Sequence, residues 1–112
     1  MDTIEENLKY FIGKHEDIYR AYEKFGRLVH TEGGPLEERT RWLIKVAVSA
    51  AGQHHYSLRT HIIKAIKAGC KRAEIEHALM LVAPTAGFPT AMEGILILRE
   101  EMDETSSEKN LN

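Results

Sequence analysis

The stretch from Gly52 to Gly69, Gly-Gln-His-His-Tyr-Ser-Leu-Arg-Thr-His-Ile-Ile-Lys-Ala-Ile-Lys-Ala-Gly, gathers more potential chemistry than any other part of the chain. It places His54, His55, Ser57 and His61 at or near the start of an expected helix. The first N–H groups of a helix have no intrahelical partner, and the aligned peptide dipoles favour negative charge there. Titratable groups in such a place can bind an anion, transfer a proton or hold a metal. His61 is the first candidate, because an ordinary imidazole pKa near ~6.5 allows proton exchange at neutral pH. Ser57 lies four residues before it and His54 seven, so the three share one helical side and form the candidate catalytic set. The bland alternative for His61 is a buried histidine bonded to a carbonyl, and for Ser57 a local cap.

A metal is a weaker expectation. Imidazoles suit zinc, copper, nickel or iron, but a structural zinc site wants four ligands and adjacent histidines diverge on a helix. No metal and no cofactor are expected. A serine triad lacks an evident carboxylate at the right spacing, although Glu93 or a neighbouring subunit could supply one. Cys70 is the single cysteine, which excludes an intrachain disulfide and a two-cysteine redox cycle. It reads as a small buried hydrophobe after a glycine stop. Lys64, Lys67, Lys71 and Arg72 form a local basic cluster, read as a solvated face that could also draw a carboxylate.

These residues are positioned by helices. Apolar spacing near 3.6 runs through the chain and no period-2 strand is evident, so the fold class is all-α with about six helices. Ile4, Leu8, Phe11 and Ile12 mark the first. Ile18, Tyr22, Phe25, Leu28 and Val29 mark the second, from about Glu16 to His30. Glu32-Gly33-Gly34-Pro35 breaks the pattern. The third is expected from Leu36 or Glu37 to the break at Gly52, and the fourth from His55 to Ala68 with Gly69 as its left-handed stop. The fifth starts near Arg72 and runs towards Pro84, and the last begins near Pro89. The Ala83-Pro84-Thr85-Ala86-Gly87-Phe88-Pro89 link reads as a rigid corner. Trp42, Met80, Phe88 and Met92 fall on apolar stripes, read as core or interface. A polar tail from Asp103 to Asn112 is expected to fray.

With 112 residues, one domain is expected over 1–112, with residues 1–21 as an N-terminal helical arm. A net charge of −2 gives no electrostatic reason to expect nucleic acid or an anionic membrane. The acidic N-terminus lacks the features of a signal peptide and no apolar run could span a bilayer, so a cytoplasmic location is expected. The third and last helices are apolar on more than one face. That asks for cover from further copies of the chain.

From about Tyr22 to Met102 the chain resembles the carboxymuconolactone decarboxylase family, which includes the alkylhydroperoxidase D-like proteins. The resemblance rests on Leu36-Glu37-Glu38-Arg39-Thr40-Arg41-Trp42-Leu43-Ile44 entering an Ala-rich helix, then His61, Ala65 and Ala68-Gly69. It continues through Glu74-Ile75-Glu76-His77-Ala78-Leu79 to Ala86-Gly87-Phe88-Pro89. It implies a helical bundle that forms homotrimers or hexamers. The peroxidase branch of the family carries Cys-x-x-Cys and a histidine four residues later; those positions are His54, Ser57 and His61. Its glutamate position is Trp42 and its intervening histidine is Tyr56. A thiol–disulfide mechanism needs a thiolate, so alkylhydroperoxidase activity is not expected. The function that the resemblance implies is a cofactor-free lyase or isomerase acting on a small unsaturated carboxylate or lactone, with His61 transferring the proton. The rival expectation is a non-catalytic oligomer that binds a ligand or serves as a scaffold.

Overall fold

A computed structural model describes residues 3–111, with side chains as far as Asp103. Among the described residues the chain is helical with no strand, as the apolar periodicity requires. It divides into two compact units, Met1–Leu36 and Glu37–Asn112.

The first unit is a pair of helices ending in a π-helical turn. Helix α1 (Ile4–Lys14) opens with a reciprocal cap: Glu6 N–H donates to Thr3 Oγ1 and Thr3 N–H to Glu6 Oε2, each at 3.1 Å. This satisfies two donors that a helix start leaves unpaired. Helix α2 (Glu16–Arg27) carries an Arg20–Glu16 ion pair one turn apart. The α-helix ends three residues earlier than expected, because Leu28–Glu32 widens into the π turn. A Cβ at Gly33 would lie 2.4 Å from the Val29 carbonyl oxygen, so the chain leaves that turn through a residue without one. No residue of α1, α2 or the π turn is buried.

The second unit contains α3 (Glu38–Ala51), α4 (His55–Lys67), α5 (Arg72–Met80), the short α6 (Ala83–Ala86) and α7 (Phe88–Leu111). Leu58, Ile62 and Ala65 form the buried stripe of α4, and Val46 and Ala50 that of α3. Their spacings of three and four put each set on one side of its helix. Ile75 and Leu79 of α5 and Ala91, Ile97 and Leu98 of α7 close the same core. Gly94 marks a close crossing: a Cβ there would meet Leu79 Cδ2 at 2.9 Å and Ala50 Cβ at 3.3 Å.

Helix α4 stops as expected. Gly69 adopts φ 95°, its N–H donates to the Ile66 carbonyl at 3.0 Å, and Cys70 N–H donates to the Ala65 carbonyl at 2.9 Å. This double bond pattern around a left-handed residue satisfies the last carbonyls of the helix. Arg59 ties α4 to α7, with Nη1 3.0 Å from Glu101 Oε1 and Nη2 2.7 Å from Glu100 Oε2.

Two expectations about the C-terminal half change. The Ala83–Gly87 corner contains a helical turn with Pro84 in its first turn, where a missing N–H costs nothing. The segment read as a fraying tail continues α7 to Leu111, so its backbone is helical. Its side chains beyond Asp103, and residue 112, lie outside the described residues.

Candidate functional site

His61 projects from α4 towards α3. Its neighbours there are Trp42, Lys45 and Ser49, which succeed one another along α3 at spacings of three and four. Ser49 lies on the buried side of α3 beside Val46 and Ala50 and is 4% exposed. A hydroxyl so placed needs a partner, since an unpaired buried polar group costs free energy. It finds one in His61: Ser49 Oγ and His61 Nδ1 are 2.7 Å apart.

The Lys45 backbone carbonyl lies 3.3 Å from the same nitrogen. A carbonyl oxygen can only accept, and it would repel a lone pair on Nδ1. The proton of the neutral ring therefore belongs on Nδ1, which donates towards the carbonyl and the Ser49 hydroxyl. Nε2 is then the basic nitrogen. It has no hydrogen-bond partner among the described residues, nor is it one of their buried, unpartnered polar atoms. It therefore keeps access to solvent.

Electrostatics favour the neutral ring. Burial holds the His61 pKa below the usual imidazole range and the nearby Lys45 charge pushes the same way, while the bond to the Lys45 carbonyl opposes them. The Lys45 ammonium sits 4.9 Å from the centre of the Trp42 ring. Trp42 and His61 lie with ring centres 5.9 Å apart and planes tilted by 46°. Burial also lowers the Lys45 pKa, with a further contribution from Arg41. Ammonium, indole and imidazole thus meet at one place on the α3–α4 pair. That arrangement can accept a proton at Nε2 and attract an anion.

The other sequence candidates take different positions. His54 is the residue before α4 and is exposed, and Ser57 is exposed in the first turn. Neither hydrogen-bonds to His61. The hydroxyl that the sequence suggested at Ser57 is supplied by Ser49 from the facing helix. His55 turns to Glu93, with Nε2 and Oε2 3.4 Å apart and both side chains about half exposed. The histidines at 54, 55 and 61 are therefore not drawn together, and among the described residues no three His, Cys, Asp or Glu side chains form a metal-binding group.

Cys70 is 6% exposed, and its thiol donates to the Arg39 carbonyl at 3.6 Å. Burial pushes its pKa up, against the pull of Arg39. That is the opposite of the activation a nucleophilic thiolate needs. The basic cluster is partly engaged, since Arg72 Nη1 lies 3.0 Å from Asp103 Oδ1. An apolar groove of about 240 Å³ runs between α3 and α5, past Leu43, Ala47 and Leu81; His61 is not in its walls. No helix among the described residues is long and apolar enough to cross a membrane.

Sequence reasoning missed Ser49 and Lys45. Ser49 sits in an Ala-rich run that signals close helix packing, which hides its polarity. The usable signal was a serine in register with Val46 and Ala50, facing a helix whose own inner stripe includes His61.

Comparison with curated proteins and with solved structures returned no match. The model of the carboxymuconolactone decarboxylase family, however, matches residues 16–100. That interval takes in α2 to α6, most of α7 and every residue around His61. The chain belongs to the carboxymuconolactone decarboxylase family.

Proposed function

We propose that the protein is a cofactor-free lyase or isomerase acting on a small unsaturated acid or lactone, with His61 as the proton-transfer group. One observation carries this reading: the Nδ1 side of the imidazole is engaged by Ser49 and the Lys45 carbonyl, while Nε2 has no hydrogen-bond partner among the described residues. A ring fixed at one nitrogen and kept neutral by burial is suited to take a proton at the other. Loss or migration of a group beside a conjugated carbonyl builds enolate-like charge. The resulting imidazolium and the Lys45 ammonium would stabilise that charge where it forms.

His54, just before α4, and Ser57, in its first turn, remain candidate catalytic or substrate-contacting residues, both exposed. We further propose that the protein works as a homo-oligomer, a trimer or a hexamer, in the cytoplasm. Supporting association, Ile44 and Val48 of α3 and Met92 and Leu96 of α7 are exposed in the single chain, and burying such side chains is favourable.

Turnover of carboxymuconolactone and simpler unsaturated lactone acids, followed by release of carbon dioxide or loss of the conjugated absorbance, tests the reading. His61→Ala should lower kcat about a hundredfold or more, with helicity by circular dichroism unchanged. Equal turnover by the variant would remove His61 from the chemistry.

A further inference from the structure

Most guanidinium groups of the chain face a carboxylate: Arg20 faces Glu16, Arg39 Glu74, Arg59 both Glu100 and Glu101, and Arg72 and Arg99 face Asp103. Lys45 differs. It is half-buried, yet among the described residues its ammonium forms no ion pair and no hydrogen bond. Its one described contact is the face of Trp42, 4.9 Å from the ring centre. A cation that loses hydration wants a counter-charge, and a cation–π contact of about 0.5–2 kcal/mol replaces only part of what water supplied.

The surroundings add to the deficit. The Lys45 charge disfavours a proton on His61, and Arg41 disfavours one on Lys45 itself. Positive charge therefore lies beside the imidazole, and among the described residues no carboxylate pairs with the Lys45 ammonium. A small anion would offset that charge. The indole, with its centre 5.9 Å from that of the imidazole, gives the rest of such a molecule an aromatic neighbour beside His61.

We propose that Lys45 is the anchor for the substrate carboxylate, holding a planar conjugated acid against Trp42 within reach of His61 Nε2. The inference takes its substrate class from the function proposed above, but concerns binding alone and includes no bond-making step.

Trp42 is the single tryptophan of the chain, so intrinsic fluorescence reads this place directly. Sorbate, a flat conjugated carboxylate, is the probe, and sorbamide is its uncharged counterpart. Sorbate should change Trp42 emission saturably. Lys45→Met, which keeps the apolar stem, should weaken binding at least tenfold, and Lys45→Arg should retain it within about threefold. Sorbamide should bind at least tenfold more weakly than sorbate to the native chain. A saturable signal of equal affinity in Lys45→Met, equal binding of sorbate and sorbamide, or no saturable signal in the native chain would each overturn the proposal. Circular dichroism identifies a misfolded Met variant, in which case Lys45→Gln takes its place. Sorbate held by Lys45 while turnover ignores His61 would discard the proton-transfer role and leave the anchor standing. Turnover lost in His61→Ala while sorbate ignores Lys45 would do the reverse.

Discussion

Ser49→Ala tests whether the hydroxyl of α3 sets the chemistry of His61. The substitution removes the partner 2.7 Å from Nδ1. A net intramolecular hydrogen bond contributes about 0.5–1.5 kcal/mol. The larger penalty for a fully orphaned buried group does not apply, because the Lys45 carbonyl remains 3.3 Å from the same nitrogen. Alanine also returns up to about 0.5 kcal/mol of helix propensity relative to serine. The expected net loss is thus about 0.5–1 kcal/mol, read as a lower urea midpoint at unchanged slope. Long-range nitrogen–proton NMR should show the neutral ring protonated on Nδ1 in the native protein. In Ser49→Ala the Lys45 carbonyl still demands a proton on Nδ1, so the tautomer should be kept while the ring loses one of its two anchors. Turnover should fall about tenfold, mainly in kcat, because orientation rather than binding is lost. A ring protonated on Nε2 in either protein, or unchanged stability and turnover in the variant, would refute the reasoning.

Two further outcomes follow from burial. The fold favours neutral His61, so an unfolded chain titrating near ~6.5 takes up a proton that the native chain resists. This contribution is full above that pH and declines as pH falls through it. Urea midpoints measured from pH 7.5 to 5 should therefore fall more steeply for the native protein than for His61→Gln; parallel curves would contradict the shift. At Gly94, alanine would gain about 1 kcal/mol of helix propensity in open space. Its Cβ instead meets Ala50 and the fully buried Leu79, and such overpacking costs about 1–3 kcal/mol. Gly94→Ala should thus lower stability by about 1 kcal/mol in thermal melts, and a net stabilisation would count against the crossing described.

Apolar periodicity was enough to place α3, α4, α5 and α7, because their buried stripes keep one register along each helix. Gly69 could be read as a stop because a left-handed residue after a helix is a backbone requirement. The π turn was not legible, since a change in hydrogen-bond register leaves the apolar spacing of Ile18, Tyr22, Phe25 and Val29 intact. Within the site, the spacing of His54, Ser57 and His61 described one helix only. It could not say that His61 looks to α3 while the other two stay exposed at the helix start. The Ser49 contact joins two helices, and a cross-helix pair has no spacing rule to announce it. Trp42 was noticed as the residue in place of a family glutamate, but its ring contact with His61 needed the fold.

The turn between α3 and α4 gives this arrangement an unusual economy. Gln53 holds φ 59° there, and its amide reaches Thr90 Oγ1 at 3.3 Å. Trp42, Lys45, Ser49 and His61 all belong to the single hairpin that this turn closes. Contacts so near in sequence form with little loop-closure entropy. The neighbourhood proposed for catalysis is therefore a local module: exchanges among its four side chains would alter it while the outer helices keep their own packing. A sulfur-based member and an imidazole-based one could thus diverge by editing a single helical pair.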